Sequence, residues 1–379
     1  MPRFFLPRPG NWFPFTRKNR AKQSLFTQTK AYSPPSKDTL SAISDLSQVV
    51  KNNPDAVEIY LALGNLYRSQ GELERAIQMR HNLIVRPNLK PEFKARALYE
   101  LGLDYRRSGF LERARKAFEQ TREFIGEDPA LLEELALLAA ADHKYEQAAD
   151  LYGKLGKPIP QAHYFVQEGK KFWHKGHTGS CRSWLNRAIR VYPGSVEAWA
   201  EKMILAYEGS DWDALAAGFQ KGLKKIDPDL HFLLLESLIR HLYRARGSQN
   251  HFKPILDPEA GKNLLQVISR QPPDLLLVYY GAWIHTKLGN QEQAVASLES
   301  CCSMDPAFWP ARVELLSLQM GAQTLNPEYR QHLEQIVNRT RQAKKFICRQ
   351  CGLTLEQIFF TCPKCRSWHS ISFLKTVKK

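Results

Sequence analysis

An all-α array of stacked helix pairs, ending in a small β module held on a metal ion, is the fold this sequence predicts. Three observations predict it. A pattern of small and aromatic residues recurs through the middle of the chain, first after 38 residues and then after 34. Four of the seven cysteines lie in two C-x-x-C hooks near the C-terminus. No apolar run reaches the roughly eighteen residues a membrane-spanning helix needs, while 43% hydrophobic and 24% charged residues suit a folded soluble protein. The chain then divides into a basic aromatic segment at 1–37, expected to be flexible, a repeat array at 38–338 and a metal-binding module at 339–379.

The repeat pattern is clearest in Tyr60-x2-Leu63-Gly64-x2-Tyr67-x3-Gly71-x4-Ala76. It returns as Leu98-x2-Leu101-Gly102-x2-Tyr105-x3-Gly109-x4-Ala114-x3-Phe118. Looser copies place Ala136, Ala148 and Tyr152, then Phe165, Gly169, Phe172, Cys181, Leu185 and Ala188, in the matching positions. Later copies run through Trp199 and through Leu277, Gly281, Ile284 and Ala294. This period with these residues is that of the tetratricopeptide repeat, two antiparallel helices per unit. Small residues such as Gly64, Gly102 and Gly169 let the helix backbones approach, and large apolar residues fill the remaining gaps. One repeat cannot bury its own apolar face, so neighbours must stack into a superhelix. About seven repeats fit between residues 38 and 320, with 229–273 the least regular stretch. The loop Gly247-Ser248-Gln249-Asn250 marks an insertion or a distorted repeat there.

Arrays of this kind hold peptides or protein faces along a groove lined by the first helix of each repeat. Glu58, Leu61, Asn65 and Arg68 fall on that face in the first repeat, and Arg96, Tyr99, Leu103 and Arg106 in the second. Asn65, Arg68, Tyr99 and Arg106 are the candidate partner contacts, suited to an acidic or amphipathic protein segment. Leu61 stands where a carboxylate-clamping repeat needs a basic side chain, so no such clamp is expected.

The chemistry of the chain is concentrated in Cys348-x2-Cys351 and Cys362-x2-Cys365, with ten residues between the pairs. A C-x-x-C turn aims both sulfurs at one point, and four thiolates arranged tetrahedrally suit Zn or, in a rubredoxin-type site, Fe. Gly352 is free to take the positive φ such a turn demands. Leu353 to Thr361 reads as a short hairpin covered by Ile358, Phe359 and Phe360, with Trp368, Ile371 and Phe373 in a third strand. So small a module needs the metal for much of its folding energy. Four cysteines complete the shell, which leaves His369 exposed and outside it, and a closed shell offers no coordination position to a substrate. No Ser/His/Asp order, Walker loop or dinucleotide fingerprint is present, so no enzyme is expected.

The net charge of +16 sits at the ends: residues 1–37 carry +8, residues 339–379 carry +9, and the stretch between them is close to −1. Near the start, Phe4, Phe5, Trp12, Phe13 and Phe15 lie among Arg3, Arg8, Arg17, Lys18 and Arg20. Four prolines forbid a regular helix there. Such a segment suits an anionic membrane surface.

Repeats followed by these hooks resemble the lipopolysaccharide assembly protein B family, tetratricopeptide-repeat proteins with a C-terminal rubredoxin-like domain. The stretch Leu63-Gly64-Asn65-Leu66-Tyr67-Arg68-Ser69-x-Gly71-Glu72 and the stretch from Cys348 through Cys362-Pro363-x-Cys365-Arg366-x-Trp368 carry the resemblance, which covers most of residues 38–374. It implies a non-catalytic scaffold at the cytoplasmic face of the inner membrane, with the four cysteines as ligands of one metal ion. It further implies as partners a membrane AAA protease, the lipid A deacetylase whose degradation the adaptor promotes, and lipopolysaccharide assembly proteins. The family usually begins with a membrane-spanning helix, which residues 1–37 cannot form. The expected localisation is therefore cytoplasmic or peripheral, and the scaffold is compatible with a homo-oligomer. Two alternatives follow from the module alone. Arg349, Lys364, Arg366 and Lys375 around the hooks, with Trp368 to stack on a base, would make it a nucleic-acid-binding zinc ribbon. Iron in the same site would make it an electron carrier.

Overall fold

The computed structural model describes residues 37–53, 56–244, 256–322, 326–341 and 345–374. The expectations for the aromatic N-terminal segment and for the loop at 247–250 lie outside these residues. The chain forms two compact units that divide between Leu132 and Glu133.

The first unit is built from α1 (Lys37–Asn52), α2 (Val57–Gln70), α3 (Leu73–Ile84), α4 (Pro91–Arg107) and α5 (Leu111–Ile125). α2 packs on α3 and α4 on α5, as two successive helical hairpins. The two repeat glycines sit at tight contacts within these hairpins. A Cβ on Gly102 would lie 2.5 Å from the Phe118 ring, and one on Gly64 would lie 2.6 Å from the Arg80 guanidinium. The glycine is needed in both repeats because a large buried side chain from the second helix presses on the first. What presses differs. Phe118 is wholly buried, and so is Arg80, four residues after the repeat alanine in each case.

Residue 133 lies inside α6 (Pro129–Ala141), and the second unit continues through α7 (Tyr145–Lys154), α8 (Pro158–His174), α9 (Thr178–Val191), α10 (Val196–Glu208) and α11 (Trp212–Lys225). A short 3-10 turn, Pro228–Leu230, leads to α12 (Phe232–Arg244). After the stretch outside the described residues come α13 (Pro258–Ser269), α14 (Leu275–Lys287), α15 (Gln291–Met304), α16 (Trp309–Ala322) and α17 (Pro327–Arg341). Hairpin packing holds for α8 with α9, α10 with α11 and α14 with α15. Aspartates start several of these helices: Asp274 accepts from the N–H of Leu277 at 2.8 Å, and Asp211 from that of Ala214 at 3.0 Å. In the irregular stretch the packing changes, with α12 against α10 and α13 against α11.

The C-terminal residues form a three-stranded antiparallel sheet, ordered β2 (Thr354–Leu355), β1 (Phe346–Cys348), β3 (Ile371–Phe373). Phe346 faces Leu355 on one side and Phe373 on the other, and Cys348 faces Ile371. The expected hairpin within 353–361 is displaced: the turn is the first C-x-x-C hook itself, which joins β1 to β2. An isolated bridge between Thr361 and Trp368 frames the second hook in the same way. Each hook is thus the tip of an antiparallel pairing.

This sheet has no core of its own. Phe346, Ile371, Phe373, Phe359, Cys348 and Cys362 belong to the same buried cluster as the apolar faces of α10 to α15. Phe232 at the start of α12 stacks on Phe346 with centroids 6.1 Å apart and meets Phe373 edge-on at 5.9 Å. Phe308 and Tyr279 close on Phe373 at 5.8 Å and 6.3 Å. Alternation along β1 and β3 sends Phe346, Cys348, Ile371 and Phe373 inward and leaves Ile347 and Ser372 half-buried.

Candidate metal centre and groove

The two hooks share one backbone plan. In the first, the N–H of Cys348 donates to the Leu353 carbonyl at 2.8 Å and that of Gly352 to the Cys348 carbonyl at 2.9 Å. In the second, Cys362 donates to Ser367 at 2.9 Å and Arg366 to Cys362 at 2.8 Å, with the same sequence offsets. The residue after each second cysteine takes the left-handed conformation: Gly352 has φ 72° and Arg366 has φ 57°. Glycine adopts it freely, whereas arginine does so at a cost of about 1–2 kcal/mol.

The folding of both hooks brings Cys348, Cys351, Cys362 and Cys365 together, with all four sulfurs within 4.8 Å of one another. Cys348 and Cys365 approach to 3.6 Å, as do Cys351 and Cys362. Thiolates about 2.3 Å from a central tetrahedral ion stand roughly 3.8 Å apart, so the spacing fits a metal. The set passes from buried Cys348 and Cys362 to half-buried Cys351 and exposed Cys365.

Hydroxyl groups distinguish the sulfurs. The Ser370 Oγ lies 3.2 Å from the Cys348 sulfur, the Ser367 Oγ lies 3.0 Å from that of Cys365, and the two hydroxyl oxygens lie 2.6 Å apart. Burial works against a thiolate at Cys348, but the hydrogen bonds from Ser370, the hook backbone and Ser367 outweigh it and pull the thiol down to about 5. Ser367 likewise lowers Cys365. A bond from the Leu353 backbone favours a Cys351 thiolate, yet desolvation and the three neighbouring sulfurs push that thiol up to about 12. Four sulfurs this close ionise together only around a cation, and such a centre can hold one metal ion.

Polar contacts fasten the hooks to the helices. Arg349 pairs with Asp229 of the 3-10 turn at 2.8 Å, and Arg240 of α12 donates to the Glu356 carbonyl at 2.8 Å. Trp368 is half-buried and meets His163 of α8 edge-on at 4.9 Å. His163 is hydrogen-bonded in turn to the buried Glu197 of α10 at 2.7 Å. The expectation of an exposed His369 is corrected: the ring is half-buried and packs against Tyr192 at 5.7 Å. Burial pushes its imidazole below the ordinary histidine range, against the pull of Glu197. Trp368, the expected base-stacking residue, thus has the His163 ring against it in this structure.

The groove residues meet a different fate. Arg68 and Tyr99, expected on an open face, are both buried. Tyr99 lies against Phe118 at 5.6 Å. Arg68 forms ion pairs with Glu100 and Asp104, and Arg80 reaches the Leu61 carbonyl at 2.9 Å and the Asp104 carboxylate at 3.5 Å. Asn65, half-buried, accepts from Arg80 at 2.5 Å and from Arg68 at 3.2 Å. Burial pushes the Asp104 carboxyl up and the Arg80 guanidinium down, and the opposite charges around each pull back. Arg106 is half-buried, while Glu58 and Arg96 stay exposed on the same helices. The physical reason is Arg80: an arginine in the slot that Phe118 fills must draw acids and Asn65 into the core. That slot was visible in the sequence alignment of the two repeats, Ala76-x3-Arg80 beside Ala114-x3-Phe118.

These features define a tetratricopeptide-repeat protein that carries a four-cysteine module. Family models for the tetratricopeptide repeat match residues 38–79, 99–161 and 282–308. The particular likeness is to lipopolysaccharide assembly protein B. The Haemophilus influenzae protein is 24% identical over 83% of this chain and 78% of its own length, and the Escherichia coli K12 protein 22% identical over 87% and 84%. A solved tetratricopeptide repeat protein from Parabacteroides merdae covers 74% of this chain and 99% of its own at 17% identity, with a TM-score of 0.34. The repeats and the lipopolysaccharide assembly relatives support an adaptor or scaffold role. Among the described residues no helix is long and apolar enough to cross a membrane.

Proposed function

We propose that this chain is a non-catalytic adaptor in which Cys348, Cys351, Cys362 and Cys365 hold one zinc ion, and that the ion fixes the repeat face presented to protein partners. One observation carries the reading: strands β1 and β3 and the buried cysteines Cys348 and Cys362 share a core with α10 to α15, so the metal centre bears on the packing of the helices. Zinc is favoured over iron by the structural part the module plays. Its aromatic residues Phe346 and Phe373 pack against Phe232 and Phe308, a structural part that a redox-inert ion serves. Iron in the same site would give an electron carrier, and a coloured protein with visible thiolate-to-iron absorption would decide for it.

The finer reading follows the resemblance. The adaptor acts in lipopolysaccharide biosynthesis, bringing the lipid A deacetylase to a membrane AAA protease and gathering assembly proteins, from a cytoplasmic position at or near the inner membrane. The names of the relatives support it, as does a fold made for holding polypeptides. The groove would be read by exposed positions such as Arg96 and Glu58 beside half-buried Asn65 and Arg106, not by Arg68 or Tyr99. A pull-down from cells with the intact protein and with the Cys348→Ser, Cys351→Ser variant tests both levels. The reading expects deacetylase and protease among the retained partners and their loss with the variant. Retention of the same partners by the metal-free variant would contradict it.

A further inference from the structure

We propose that the junction of α9, α10 and α11 is a second docking surface, one that binds an acidic polypeptide segment through Arg182, Lys202 and Lys221. The inference rests on neither the metal nor any named client.

The surface stands out because of how charge is spent around it. The middle of the chain is close to neutral, yet the acids near these three helices are committed elsewhere. Glu197 holds His163 at 2.7 Å, Glu201 holds Lys170 at 2.6 Å and Glu208 holds His241 at 2.5 Å. Glu146 takes Arg187 at 3.4 Å, and Asp211 caps α11. Asp213 is exposed but lies eight residues before Lys221 on α11, about 12 Å along the helix. Among the described residues no carboxylate lies within ion-pair reach of Arg182, Lys202 or Lys221.

Their placement makes this more than a solvated face. Lys202 is half-buried: its stem runs beside Trp199, with the ammonium 5.5 Å from that ring's centre, and Nζ donates to Asn186 of α9 at 2.9 Å. Its hydrogen-bond partner is neutral. Burial, then Lys221 and Arg182, push its ammonium below the usual lysine range. Geometry places the other two cations at the same junction: Asn186 lies one turn after Arg182 on α9, and a Cβ on Gly222, next to Lys221, would lie 3.5 Å from Trp199. Arg190, Lys224 and Lys225 add exposed positive charge on α9 and α11. A carboxylate seated between Arg182 and Lys221 would relieve all three.

Charge alone would admit a lipid surface or a nucleic acid. The local surface favours a polypeptide. No large apolar side chain between residues 178 and 225 is exposed, so nothing there would enter a bilayer or stack on bases. Carboxylates spaced along an extended or helical segment match cations spaced from helix to helix.

The test uses the full chain and a fluorescein-labelled oligoglutamate peptide, followed by anisotropy. Wild-type protein should bind it, with affinity falling as salt rises. The combined variant Arg182→Gln, Lys202→Met, Lys221→Gln should weaken binding about tenfold or more. A control variant that removes the same charge elsewhere, Arg75→Gln, Lys144→Gln, Lys262→Gln, should weaken it less than about twofold. Bound peptide should also protect Lys202 and Lys221 from acetylation, read by mass spectrometry. Equal losses in the two variants, or no loss in the first, would overturn the proposal by assigning the binding to net charge or to the basic ends. Patch-dependent sedimentation with phosphatidylglycerol vesicles, or patch-dependent binding of a single-stranded oligonucleotide, without capture of the peptide, would overturn the choice of partner.

Discussion

The first repeats and the last module each bury a cluster of ionisable groups, and the two clusters are balanced in opposite ways. Arg68, Arg80, Glu100 and Asp104 are two cations and two anions, so that cluster is neutral within itself. The four sulfurs at Cys348, Cys351, Cys362 and Cys365 have no such counterpart among their own number and call for an ion from solution. A self-balanced cluster is complete once the chain folds. A cluster of one sign ties local folding to a ligand, and here the local fold is part of the core of the second unit.

The largest expected effect comes from removing that ligand. Cys362 is wholly buried at the sheet, and Cys362→Ser should abolish stoichiometric zinc and remove stabilisation on the order of 10 kcal/mol from the module. Metal analysis and thermal unfolding would check it; unchanged unfolding would contradict it. In the self-balanced cluster, Asp104→Ala leaves two buried guanidiniums with the single carboxylate of Glu100 and should cost about 3–5 kcal/mol by urea unfolding. The double change Arg80→Phe, Asp104→Leu imitates the neighbouring repeat and should recover most of that loss. Gly102→Ala drives a methyl into the Phe118 ring and should cost about 1–3 kcal/mol.

The pairing of repeats, the order of modules and the four sulfurs were legible in the sequence because each rests on spacing. Gly64 and Gly102 mark the close approaches, and two C-x-x-C hooks mark the centre. The groove was not legible at Arg68 and Tyr99, because repeat register places a residue on a helix face and says nothing of what fills the slot behind it. Arg80 carried that information, one position in a motif otherwise apolar. The docking of the sheet was equally hidden. Phe346, Ile371 and Phe373 alternate as any half-buried strand does, and only the fold reveals that Phe232, Tyr279 and Phe308 supply the missing side of their core. His369 was misread for the same reason, since its neighbour Tyr192 is distant in sequence.

Two smaller tests probe the seam between hooks and helices. Burial opposes charge on Glu197, but His163, with His369 and Lys170, outweighs it and holds the carboxyl below its usual range; burial lowers His369 as well. Both values are depressed in the folded chain, so this stabilisation is complete above the unfolded values and is lost as pH falls. Urea midpoints should therefore decline as pH drops below about 6.5 and again below about 4.3. Glu197→Gln should flatten the second decline; an unchanged profile would contradict the assignment. Smallest of all, Arg366→Gly gives the second hook the residue that the first already has at this φ and should add up to about 1 kcal/mol to stability.

Hydrogen exchange with and without a metal chelator addresses the central claim most directly. On metal removal, amides in β1, β3, α12 and α14 should lose protection together, because Phe232 and Tyr279 lose the sheet they pack against, while α4 and α5 keep theirs. Full protection of α12 and α14 in chelated protein would show that the helices pack without the sulfur-bound ion, and the account would fail.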